Sequence, residues 1–177
     1  VRNAGESGVM TWNTSNFSAD GVTTNNTLNN GIFGLNSKVS NATVRNCVIK
    51  NNGVLPGMGL SSGNSYKGMR IDGNFLTIEY NKLDSIGYSG IEFQGNDVMV
   101  RNNVVSRYDM TKHDGGGIYT WGSGTAASPG PTYYRRTVQD NIIMNPVGAS
   151  YGTRTNAVDV VGIFLDGMTM NVNVTGN

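Results

Sequence analysis

The chain has one cysteine, one histidine and four prolines in 177 residues, and only 14% of it is charged. A single thiol, Cys47, excludes an internal disulfide and any cysteine-based zinc site, and reads as a small buried residue in a turn. One histidine without a thiol pair argues against zinc, and no run of carboxylates has the spacing of a calcium loop, so neither a metal nor a cofactor is expected. A net charge of +1 supplies no basic field that would call for nucleic acid. No apolar run approaches the roughly 20 residues of a membrane span, and no signal peptide opens the sequence. Nothing in the composition marks an oligomeric state.

What is present is glycine, asparagine, threonine and serine, with apolar residues on a strict beat. Gly90 to Ser106 falls on Gly68 to Asp84 after a shift of 22 residues. Gly68, Met69, Ile71 and Gly73 match Gly90, Ile91, Phe93 and Gly95, and Leu76 and Ile78 match Val98 and Val100. The frame returns at Gly117, Ile118, Thr120 and Gly122, ending in Val138 to Asn141, and again at Gly162, Ile163, Leu165 and Gly167, ending in Val174 to Asn177. Val44 to Cys47 is an earlier, weaker copy with Cys47 in the place of Asn. A unit that cannot bury its own apolar side must stack on copies of itself.

The apolar and polar residues alternate with period two in runs of three to five, broken by Gly, Asn or Asp, and no window carries a helical stripe. Short strands returning every 22 residues at the tightest predict an all-β fold, a right-handed parallel β-helix of about five rungs. The whole chain, 1–177, is expected to be one such domain, with 1–30 as irregular first turns and 31–177 as rungs. Its start at Val1 and stop in mid-repeat suggest a piece of a longer solenoid truncated at both ends, from an extracytoplasmic or secreted protein. Asn81, Asn103, Asn141 and Asn177 recur at one bend, where each amide can bond its own turn and the next copy's Asn.

The repeat is interrupted on both sides of one strand. Nine residues separate Asn81 from Gly90, but 14 separate Asn103 from Gly117 and 21 separate Asn141 from Gly162. From Gly122 to Val138 there are 16, against five from Gly95 to Val100. Long loops on a regular scaffold are where function concentrates. The outward residues of the flanked strand form two rows, Arg70, Glu92, Tyr119, Phe164 and Asp72, Gln94, Trp121, Asp166. Aromatic faces beside carboxylates and an Arg suit a sugar ring, with its apolar face and its hydroxyls. The alternative is that the loops cover these aromatics as a satellite core.

Asp114 and Asp159 stand at equivalent places, three residues before the first-strand glycines Gly117 and Gly162. Carboxyls on adjacent copies can approach the roughly 5 to 5.5 Å used by retaining glycosidases, and at that range one pKa rises toward the value of a general acid. Asp166 closes a triangle with them. His113, beside Lys112 and Asp114, can orient a carboxylate or shuttle a proton. Each has a plainer reading: Asp159 as a turn cap, Asp114 as an Asp-Gly turn, His113 and Lys112 as loop residues.

The string Lys112 to Tyr119, KHDGGGIY, followed by Gly162 to Asp166, GIFLD, resembles the D-G-G-x-I-Y and Y-L-D-D strings of right-handed β-helix carbohydrate-active enzymes of the α-L-fucosidase and xylanase type. The resemblance implies a catalytic pair at Asp114 and Asp166. Gly167 replaces the second Asp of the later string, and Phe164 its Tyr. The expected function is glycoside hydrolysis of a poly- or oligosaccharide, with carboxylates drawn from Asp114, Asp166 and Asp159. Arg70, Glu92, Gln94, Lys112, Tyr119 and Trp121 would contact the sugars. A polysaccharide lyase using Lys112, Arg70, Arg101 and Arg107 as cations, or a β-helix that only binds glycan or spaces other domains, are the other two readings.

Overall fold

The computed structural model describes residues 1–59, 62–122, 127–128, 130–149 and 159–177, and of residues 35–38 the backbone only. Among the described residues there are strands and no helix, hence no helix long and apolar enough to cross a membrane. Each strand pairing within the two sheets is parallel.

Five strands form the smaller sheet: β3 (Thr23–Asn25), β5 (Val48–Asn52), β7 (Lys82–Ile86), β10 (Val104–Ser106) and β13 (Ile142–Met144), side by side in that order. The larger sheet has ten. Its first strands are β1 (Val9–Trp12), β2 (Ser18–Asp20) and the 14-residue β4 (Ile32–Arg45), which pairs with both of them and with the 11-residue β6 (Met69–Glu79). From β6 the sheet extends along two paths. One runs through β8 (Ile91–Gln94), β11 (Gly115–Trp121) and β14 (Val160–Asp166), the other through β9 (Val98–Arg101), β12 (Arg136–Gln139) and β15 (Val172–Thr175).

This corrects the expectation of a single right-handed β-helix of five rungs. The chain is all-β and parallel, but its strands gather into two sheets, the larger curled as a half-barrel. The reason lies at Gly73, where a turn between two strands was expected. A Cβ there would stand 1.8 Å from the Val39 carbonyl oxygen, so only glycine lets the backbones pass this closely. The register of β4 shifts between Gly34 and Val39 and the ladder then resumes, with Gly73 opposite Val39 and Asn74 opposite Ser40, and β6 remains one strand.

The 22-residue register organises the core. Ile32, Met69, Ile91, Ile118 and Ile163 stand in one column, and Val44, Ile78, Val100, Val138 and Val174 in another. Ile49, Leu83, Val105 and Ile143 form a third across the smaller sheet. Apart from Ile163, Val174 and Ile143, on the outermost strands, all of these are buried. Residues 1–30, which read as irregular, hold definite strands, with Val9 opposite Ile32 and Ala19 opposite Val44. Their inward residues are Thr11, Ala19 and Thr24, small or polar, so the aliphatic signal that betrays the later strands is missing.

The asparagines form the expected ladder. Asn81 donates to Asn103 Oδ1 at 2.9 Å, Asn103 to Asn141 Oδ1 at 2.9 Å, and Asn141 to Asn177 Oδ1 at 2.8 Å. Cys47 occupies the equivalent place below, its backbone N–H donating to Asn81 Oδ1 at 3.0 Å. Asn103 lies in the middle, fully buried, with its amide also donating to the Ile78 carbonyl. Asn103→Ala strands donors and acceptors of both neighbours at once, and is expected to lower unfolding free energy by about 3 kcal/mol in urea denaturation, against little for Asn173→Ala, an exposed asparagine without a left-handed φ.

Candidate active site

The candidate site is the outer face of β6, β8, β11 and β14. Strand alternation and register put Arg70 opposite Glu92, Glu92 opposite Tyr119 and Tyr119 opposite Phe164. In the second row Asp72 faces Gln94 and Trp121 faces Asp166. The rings of Tyr119 and Phe164 meet edge to face with centroids 5.5 Å apart, and Trp121 is 43% exposed.

The Arg70 end of this face is closed by ion pairs. Lys67, 2% exposed, donates to Glu92, and Arg70 reaches the other Glu92 oxygen at 3.1 Å while gripping Asp72 at 2.7 to 3.1 Å and bonding Asn64. Burial holds the Lys67 ammonium below its usual range in spite of Glu92. Burial alone would lower Arg70 too, but Glu92 and Asp72 more than offset it and raise it. The Lys67 ammonium also lies over the rings of Tyr88 and Tyr119, at 5.3 and 5.7 Å. Lys112 bonds the Ser62 carbonyl and caps the rings of Tyr66 and Tyr88, at 4.7 and 5.6 Å.

Asp114 and Asp159 precede paired strands, β11 and β14, and the Asp114 N–H donates to the Asp159 carbonyl at 2.8 Å. Both side chains are exposed. Asp166 ends β14, where Tyr119 donates its hydroxyl to Asp166 Oδ2 at 2.6 Å and the Gly167 N–H donates to Oδ1 at 2.6 Å. Partial burial, then the charges of Asp166 and Asp159, hold the Asp114 carboxyl above the usual carboxylate range, with His113 acting the other way. Burial and then the bond to Asp166 raise the Tyr119 phenol, which stays a donor. His113 is half-buried, and its Nδ1 has no hydrogen-bond partner among the described residues.

Three side chains packed at this face escaped the sequence reading: Lys67, Tyr88 and Asp109. Tyr88 donates to the Asp114 carbonyl at 2.8 Å and accepts from the Asp109 N–H at 3.1 Å through its own carbonyl, tying both ends of the 109–114 segment. Asp109 is 0% exposed, and neither carboxyl oxygen has a partner among the described residues. Its Oδ1 lies 2.3 Å from where a Cβ on Gly115 would stand, which explains the glycine after Asp114. Burial, then the charge of Asp114, raise the Asp109 carboxyl to about 8, with Lys67 opposing. Asp109 lies in the stretch inserted between Asn103 and Gly117, where the repeat offers no counterpart to say which side chains turn inward.

Part of the loop chain expected to wall this face, residues 123–126, 129 and 150–158, lies outside the described residues. Among those described, no group of three or more His, Cys, Asp or Glu is placed to hold a metal ion. A cavity of about 470 Å³ lies elsewhere, lined by Asn3, Leu28, Val54 and Leu55 and by no titratable side chain, and its lining offers no chemistry. No family model, curated protein or solved structure matches the chain.

Proposed function

We propose that this chain binds a glycan across the outer face of β8, β11 and β14 and hydrolyses a glycosidic bond, with Asp114 as general acid and Asp166 as the second carboxylate. One observation carries the reading: an exposed carboxyl, Asp114, is held above the usual carboxylate range by partial burial and then by the charges of Asp166 and Asp159, beside a strip of partly exposed aromatic rings. Glycoside hydrolysis requires a carboxyl that keeps its proton to serve as general acid, with a second carboxyl beside it.

The roles follow from the contacts. Asp166 receives two hydrogen bonds, from Tyr119 and from the Gly167 N–H, which fix the orientation of its carboxyl for attack on the sugar or for activating water. Asp114 has no side-chain hydrogen bond among the described residues that would hold its ionised form, and its proton is free to pass to a leaving oxygen. Tyr119, Phe164 and Trp121 give the sugar rings a surface to stack on.

A lyase would need cations free to neutralise a uronate, whereas Arg70, Arg101 and Arg107 are paired with carboxylates and Lys112 bonds the Ser62 carbonyl. The test is incubation with a panel of polysaccharides. Release of reducing ends without ultraviolet absorption from unsaturated uronates is expected. Unsaturated products, or no products with any glycan, would contradict the proposal.

A further inference from the structure

The segment that carries Asp114 to the face is held down by a handful of bonds. Met110 and Thr111 donate their N–H groups to the Ile86 and Gly87 carbonyls at 3.1 and 2.7 Å, and the Thr111 hydroxyl donates to the Gly53 carbonyl at 2.7 Å. Tyr88 clamps both ends, taking the Asp109 N–H on its carbonyl and donating its hydroxyl to the Asp114 carbonyl. Met110, Thr111, Lys112 and His113 are half-buried between these points. Beyond Asp114 stands Gly115, free to turn the backbone where the segment joins β11.

Under this segment lies the Asp109 carboxyl, wedged between the Tyr88 ring and the Gly115 backbone, 0% exposed and with both oxygens unpartnered among the described residues. Such a group is tolerated neutral and is very costly as an anion. The charges around it do not rescue the anion. Lys67, before β6, is already bonded to Glu92 of β8 and covered by the rings of Tyr88 and Tyr119, while Asp114 adds a like charge from the start of β11. Tyr88 and Tyr108, both raised first by burial, stay neutral phenols. His113 and Lys112 ride on the segment itself, and Asp159 and Asp166 lie beyond Asp114 on β14 and its approach.

We propose that Asp109 is the catch of a pH-sensitive latch: with its proton it seats the 109–114 segment against Tyr88 and Gly115, and without it the segment swings out at Gly115, drawing Asp114 away from Asp159 and Asp166. The latch stands whatever the site does; its consequence for catalysis rests on the hydrolase reading, in which opening removes the general acid. The sign follows from linkage. The closed carboxyl titrates at about 8, whereas in the open segment it is wetted and titrates as an ordinary Asp near 3.9. Between these values opening releases a proton, so the open fraction rises about tenfold per pH unit and levels off above about 8.

The test is amide hydrogen exchange of the whole chain from pH 5 to 9, with rates divided by those of an unstructured peptide at each pH. Protection of the Met110 and Thr111 amides is expected to fall about tenfold per pH unit up to about 8, from a level well below that of Val100 in the middle of the larger sheet. In Asp109→Asn the protection should be flat with pH, and in His113→Gln the fall should remain. Flat protection in the unsubstituted chain, a fall that survives Asp109→Asn, or one lost in His113→Gln would overturn the latch. So would protection equal to that of Val100, since the opening would then be unfolding of the whole chain. If the fall holds and no glycan is cleaved, the hydrolase reading is removed and the latch stands; cleavage through Asp114 with flat protection would do the reverse.

Discussion

Asp114→Asn is expected to lower kcat on the cleaved glycan about 10³-fold while leaving the melting temperature within a degree or two. The loss follows from removing the proton a general acid delivers, which contributes typically 10² to 10⁴ in rate. The fold survives because Asp114 is exposed and its structural bonds are made by its backbone, to Asp159 and Tyr88. Its φ of 65° is left-handed, a region Asn tolerates as well as Asp. Alanine tolerates that conformation less well, so Asp114→Ala is the poorer probe of chemistry. Steady-state kinetics with a thermal melt on the same samples separates the two effects, and an unchanged kcat would remove Asp114 from the mechanism.

Asp109→Asn is expected to change stability little at pH 4 and to stabilise the protein increasingly as pH rises toward 8. The native carboxyl titrates at about 8 where an unfolded Asp titrates near 3.9. Between these values the folded chain holds a proton that the unfolded chain has released, so native stability falls with rising pH across that window. Integrated over the window, the cost is on the order of 5 kcal/mol at pH 8 and above, and it vanishes below the unfolded pKa. Asn shares the left-handed φ of 54° found at Asp109 and carries no charge to desolvate. Its unpartnered amide costs about 1 to 3 kcal/mol. The variant should therefore be equal or slightly weaker at pH 4 and stronger by a few kcal/mol at pH 8 to 9. Urea denaturation at the two pH values measures this, and parallel stability curves for the two proteins would refute it. An acid retained at such a cost, directly behind Asp114, is a mark of a site shaped by something other than stability.

These effects bear on how far the sequence could be read. The 22-residue frame placed Met69, Ile91 and Ile118 in one column and Asn81, Asn103 and Asn141 in one ladder, because both depend on local period and on one side chain repeated at one bend. The same frame misjudged the architecture at Gly73. Whether a glycine ends a strand or lets two backbones slide past each other depends on the neighbouring chain, and a one-dimensional pattern does not carry it. Thr11 and Thr24 hid the first strands, since a buried threonine looks like a turn residue in a sequence rich in turns.

At the candidate site, the adjacency of Asp114 to Asp159 and of Trp121 to Asp166 was legible because these residues sit at fixed offsets from repeated glycines. Lys67 and Asp109 were not. Lys67 stands one residue before Gly68, where the next copy has Ser89, so nothing in the repeat marks it as the partner of Glu92. Asp109 lies in an insertion, and its burial follows from backbone bonds of Met110 and Thr111 to Ile86 and Gly87 that no periodicity predicts.

The central claim, that partial burial and then the charges of Asp166 and Asp159 keep a proton on Asp114, is tested most directly by following the Asp114 carboxyl carbon by NMR through a pH titration, in the unsubstituted chain and in Asp166→Asn. The account predicts a midpoint above the ordinary aspartate value of about 3.9 that moves down when the Asp166 charge is removed. A midpoint at or below 3.9, or one indifferent to Asp166→Asn, would contradict it.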